Sequence, residues 1–194
     1  MDFLNSEANR TSGRVKAVPI LPGFKNQKIT NMGLDVRVYQ NIKEVADADD
    51  ADFTAFVVAE EWEWKIKNLK KEAHYVGTCV DHTISYPYSR HSRFREMLIR
   101  LIGRIDLLQA DGQINWDELP TEQGSDIPFI DLVFFADNEG CLDWEVSEKI
   151  YQDFKKWEDK VDADGGLSEY DVELYRDWMN VFDLARQNGV VVFG

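Results

Sequence analysis

Residues 85–95, SYPYSRHSRFR, gather side chains that could do chemistry. Tyr86 and Tyr88 flank Pro87, Ser85, Ser89 and Ser92 bring hydroxyls, and Arg90, Arg93 and Arg95 bring cations. A guanidinium can hold a phosphate or carboxylate bidentately, and a tyrosine can stack on a ring. His91 is the one type here that titrates near neutrality, so it is the natural general acid or base. A second segment, ADNEG at 136–140, places Asp137, Asn138 and Glu139 directly after an apolar run. As a ligand site the two segments would face each other, with Tyr86, Tyr88, Ser89, His91, Arg93 and Arg95 on one side and Asp137, Asn138 and Glu139 on the other. An ion-paired structural junction accounts for the same residues, and so does a plain turn at Gly140.

Metal chemistry is weaker. DGQINWDE, EGCLDWE and DADGGLSEYD share the acid–glycine–aliphatic grammar of a calcium loop. Aligning their glycines places Leu107, Phe135 or Lys160 at the first ligand position, where a hard cation needs oxygen. His74, Cys79, His82 and His91, with the distant Cys141, lack the paired spacing of a structural zinc site. No metal and no cofactor is expected, and catalytic residues are not assigned.

Charge points to a class of partner. The chain of 194 residues has a net charge of −14. Residues 105–194 carry it, with six Lys/Arg against twenty-two Asp/Glu. Such a surface repels nucleic-acid backbones, so direct nucleic-acid binding is not expected. It would suit a basic protein surface, including one built for nucleic acid, which makes mimicry a conceivable mode. No run approaches the roughly 20 apolar residues of a spanning helix, and no secretion leader or cysteine framework is visible. A reducing cell interior and no membrane association are expected.

The elements that must position these residues fall into an α+β pattern. Residues 1–31 read as an extended arm without its own core, and 32–194 as one domain. Hydrophobic residues at 44% and aromatics at 12% suffice for a core. A mixed, mainly antiparallel sheet is expected from 34–40, 53–58, 62–67, 74–80 and 128–135, with VVVF as a last strand. The 62–67 assignment rests on Trp62, Trp64 and Ile66 sharing one face. The run FIDLVFF is apolar on both sides and reads as the central strand, with Asp131 then at an edge or paired. About three helices, near 92–103, 144–159 and 169–187, should cover one face. Ser92, Asp143 and Ser168 are the expected N-caps. Phe94, Leu98, Trp157 and Trp178 should be buried.

MGLDVRVYQN, YPYSRHSRFREMLIRLIG, DIPFIDLVFFADNEGCLDWEVSEKIYQDF and ARQNGVVVFG together resemble a family of uncharacterised proteins of bacteria and their phages, over about residues 32–194. The resemblance implies a small globular protein of the bacterial cytoplasm, often phage-encoded, and brings no catalytic residue with it. The expected function is binding of a macromolecular, protein partner, in a host-takeover or counter-defence setting. A small ligand-binding or enzymatic domain between 85–95 and 137–140, and a virion-associated component, are the alternatives.

Overall fold

The computed structural model describes residues 33–58, 60–116, 125–135, 140–163 and 166–194. The proposed arm, and Asp137, Asn138 and Glu139, lie outside the described residues. Five strands form an antiparallel sheet: β1 (Gly33–Val45), β2 (Phe53–Thr54), β3 (His74–Pro87), β4 (Gly140–Asp143) and β5 (Gly189–Phe193), in the order β2-β3-β1-β5-β4. Strict alternation in β1 buries Leu34, Val36 and Val38 and exposes Asp35 and Arg37, as a half-buried strand requires.

The sheet curls. Phe53 and Thr54 pair with Tyr75 and His74 of β3, while Val57 bridges Gly140 of β4 and the Cys141 N–H donates to the Phe56 carbonyl at 2.9 Å. One short segment therefore touches strands at both sides of the sheet and shields polar backbone edges. Its alternation survives, with Phe53, Ala55 and Val57 buried, although the regular ladder spans only two of the residues expected at 53–58.

The long helices are α1 (Tyr88–Leu101), α3 (Trp144–Ala163) and α4 (Glu169–Ala185), the last two closely packed on each other. Ser168 and Asp171 form the expected reciprocal cap of α4. Asp143 caps α3 by accepting from the N–H groups of Glu145 and Val146 at 3.0 and 3.1 Å. Ser92 caps nothing, because α1 starts four residues earlier, directly after Pro87. Trp178, Phe94 and Leu98 are buried as expected. Trp157 is only half-buried, its ring covered by Lys160 while Phe154 fills the core beneath α3.

Two expected strands are helices. Residues 60–66 form a 3₁₀ helix, and burial of Lys65 beside Ile66 breaks the period-two pattern that had suggested a strand. Residues 128–135 do not form a central strand. They contain a single helical turn, α2 (Ile130–Val133), with Phe129, Ile130, Leu132, Val133 and Phe135 buried. A continuous apolar run suits a buried helix as well as a buried strand, so periodicity could not separate them. The central place goes to β1 and β5 instead. The constraint on Asp131 holds: it is buried, and its carboxylate pairs with Lys149 at 2.6 Å.

Candidate functional site

The 85–95 segment is split by its own geometry. Strand β3 turns Tyr86 inward and Ser85 outward, and α1 follows without a loop. The inward stripe of α1 is His91, Phe94, Arg95, Leu98, Ile99 and Leu101, the i, i+3, i+4, i+7 pattern of a packed helix face. Ser89, Arg90 and Arg93 point to solvent, and Tyr88 is half-buried. The Arg90 guanidinium lies 4.9 Å from the Tyr170 ring centre. Tyr86, His91 and Arg95 therefore belong to the interior, whereas Ser89 and Arg93 belong to the surface.

Inside, a polar chain crosses the core. The Trp178 Nε1–H donates to the Tyr86 hydroxyl at 2.7 Å, and that hydroxyl lies 3.2 Å from His91 Nδ1. The phenol and the imidazole share one hydrogen bond, and His91 Nε2 is buried without a partner. Burial, helped by the Arg95 charge, holds His91 well below its ordinary value of 6.5. Burial also pushes the Tyr86 phenol up. A ring that stays neutral and enclosed does not titrate where an acid–base catalyst must. In the structure His91 links two aromatic side chains of the core.

Arg95 reaches toward the second segment. Its Nη1 donates to the Phe135 carbonyl at 2.9 Å and to the Val133 carbonyl at 3.4 Å, and its guanidinium lies 5.0 Å from the Trp116 ring centre. From the other direction Lys65 Nζ donates to the Asp131 carbonyl at 2.8 Å. These carbonyls belong to α2 and the residues after it, where a helical turn leaves acceptors without partners. Lys65 is 1% exposed and sits 5.1 to 5.7 Å from the ring centres of Phe135, Trp64 and Trp62. Burial lowers its pKa from 10.5 to about 7, against a smaller opposing pull from Asp131.

The start of the same segment is also held. Phe129 adopts a left-handed backbone, φ 61°, and its N–H donates to Asp153 of α3 at 2.8 Å. Its ring meets Phe154 edge-on at 4.9 Å. Burial raises the Asp153 carboxyl to about 6. Lys149 ties the Ser125 carbonyl and the Asp131 carboxylate together. At the far end a Cβ on Gly140 would lie 2.7 Å from the Phe135 ring, so the residues bounding 136–139 are in contact. The structure thus brings Arg95 within one residue of the acidic segment, and places Lys65, which a strand would have turned away from the face of Trp62, Trp64 and Ile66, at the same spot. The only signal in the sequence was its setting between tryptophans, WEWKIK.

A concavity lies elsewhere. A cleft of about 340 Å³ is lined by Ile42 and Glu44 of β1, Lys67 to Lys70, Tyr75, Trp144 and Asn188. None of these residues stood out in the sequence, because they come from five separate stretches. Of the candidate zinc ligands whose side chains are described, His74 Nδ1 bonds Thr54 Oγ1 at 3.0 Å, Cys79 is exposed, and Cys141 is buried with its thiol pushed up to about 12 by burial. Among the described residues no group of three or more His, Cys, Asp or Glu side chains could hold a metal ion. Among the same residues no helix is long and apolar enough to cross a membrane. No protein-family model matches the chain, and no curated protein or solved structure is significantly similar to it.

Proposed function

We propose that this chain works by binding a protein partner rather than by catalysis. The observation that carries the reading is the surface above α2. Trp116 is 46% exposed, yet the buried Arg95 guanidinium supports its ring from below. Phe134 packs 6.1 Å from Trp116 and 5.6 Å from Trp62, extending the patch. An aromatic side chain ordered before contact loses little entropy on binding, and Trp is among the residues enriched at interface hot spots. The neutral, enclosed His91 supports the same reading from the other side, since it removes the acid–base group an enzyme at 85–95 would use.

Acidic mimicry of nucleic acid is less favoured. Glu145, Glu148, Glu158, Asp162 and Asp183 are each paired with a lysine or arginine of the same chain. These pairs lie at the surface, and six Lys/Arg cannot pair all twenty-two Asp/Glu of 105–194, so mimicry ranks second because of the Trp116 patch and not because of charge. A phage-borne setting, with a host-takeover or counter-defence role, belongs to the proposal on the strength of the resemblance described above. The test is affinity capture from expressing cells with the wild type, Trp116→Ala and Ile105→Ala, the last altering an apolar residue that is 65% exposed. A protein retained by the wild type and Ile105→Ala but lost with Trp116→Ala supports the reading. Equal retention by all three overturns it.

A further inference from the structure

We propose that the cleft between β1, the 67–70 turn and the start of α3 is a binding site for a neutral saccharide. Its lining mixes apolar and aromatic residues, Ile42, Leu69, Tyr75 and the half-buried Trp144, with polar ones at Glu44, Lys67, Asn68, Lys70 and Asn188. A sugar ring has the matching mixture, with a C–H face that rests on an aromatic ring and a circumference of hydroxyls that both donate and accept. The volume lies at the small end of ligand sites, which suits a mono- or disaccharide better than a nucleotide.

Charge separates this class from anions. Each lysine of the lining has a carboxylate partner: Lys67 pairs with Glu145, and Lys70 with Glu44 at 2.6 Å. The lining is thus balanced, on a chain of net charge −14. A phosphate would meet both carboxylates as well as both amines. Hydroxyls, in contrast, can accept from an ammonium and donate to its carboxylate without breaking the balance. Asn68 is already oriented, its Nδ2 donating to Asp143 at 3.0 Å and to Glu145 at 3.2 Å. A rigid amide of this kind discriminates among hydroxyl positions.

Left-handed backbone is concentrated in and beside the cleft. Four described non-glycine residues have left-handed φ, and three of them line or adjoin it. Asn188, φ 53°, lines the cleft; Asn41, φ 53°, adjoins Ile42 at a register shift of β1; Glu72, φ 62°, closes the turn after Lys70. Such conformations persist where surrounding structure imposes them, and they gather at ligand sites.

The experiment is titration of the full chain with glucose, galactose, mannose, N-acetylglucosamine and the disaccharide chitobiose at millimolar concentration. Calorimetry and saturation-transfer NMR would be the readouts, with inorganic phosphate and sulfate alongside. Two variants accompany the wild type. Trp144→Ala removes the platform, and Asn188→Gly removes one lining amide while leaving a residue at ease with positive φ. The expected result is binding of at least one neutral sugar, insensitive to salt, weakened about tenfold or more by Trp144→Ala and measurably by Asn188→Gly. Trp116→Ala should leave it unchanged. Absence of binding by every sugar, full binding by Asn188→Gly and Trp144→Ala alike, or displacement of the sugar by phosphate would each overturn the proposal.

Discussion

The cations around α2 and those around the cleft are of the same residue types, yet they are used in opposite ways. Lys65 and Arg95 are buried, and the acceptors they satisfy are backbone carbonyls of α2 and the residues that follow it. Lys67 and Lys70, two and five residues further along from Lys65, lie at the surface in pairs with carboxylates that solvent can replace. A buried cation that satisfies backbone carbonyls is committed, since moving it would leave both the charge and the carbonyls unsatisfied. An exposed pair is nearly neutral in energy and can exchange partners for a ligand. The difference teaches that a charged motif marks a site only after the direction of its side chains is known.

The largest expected effect tests how deeply Lys65 is committed. Its pKa is lowered from 10.5 to about 7, so between these values the unfolded chain binds more protons than the folded one. Stability must then rise with pH across that window and reach its low plateau below about 7, a difference of up to about 5 kcal/mol across the whole window. Urea unfolding of the wild type and Lys65→Met at pH 7 and pH 9.5 measures it, and the variant should show the flatter profile. Next comes Arg95→Leu, which strips donors from two carbonyls and support from Trp116. It should lower stability by about 3 kcal/mol, read as a shift in the denaturation midpoint. Tyr86→Phe leaves both Trp178 Nε1 and His91 Nδ1 without their shared hydroxyl, for a loss of about 2 kcal/mol by the same measurement.

Asp153→Asn should have the opposite sign. The folded state holds the Asp153 proton up to about pH 6, against 3.8 when unfolded, so the wild type loses stability as pH rises through that window. The amide keeps an acceptor for the Phe129 N–H, and the variant should gain about 1 kcal/mol at pH 7 with a smaller change between pH 4 and pH 7. Lys70→Met belongs at the bottom of the scale, with a thermal midpoint indistinguishable from wild type. A large loss there would erase the contrast between committed and exchangeable cations.

Local signals carried much of the fold. The alternation of 34–38, the capping box at Ser168 and the stripes of the three long helices rest on neighbours within a few residues, and sequence shows them directly. What was hidden depended on distant partners. FIDLVFF reads as a strand until Asp153, Lys65 and Arg95, from three other elements, supply the bonds that hold one helical turn at its centre. Residues 140–143, between the turn read at Gly140 and the cap at Asp143, become a strand because β5 and Phe56 arrive beside them. For the candidate site, sequence singled out the polar segment 85–95 but could not say which residues turn inward. The cleft drew no attention, since no motif joins Ile42 to Trp144 and Asn188.

Strand β5 has a consequence for how the protein must be made. It lies between β1 and β4, hydrogen-bonded to both, although it follows every other described element along the chain. A ribosome delivers β1 and β4 long before the piece that joins them. Until residues 189–193 leave the exit tunnel, the nascent chain carries two strands with an apolar gap between them, and α4 lacks part of the surface its Trp178 stacks upon at Phe193. Completion of this sheet therefore waits for residues 189–193, and a chain stalled before them is a natural client for chaperones and proteases.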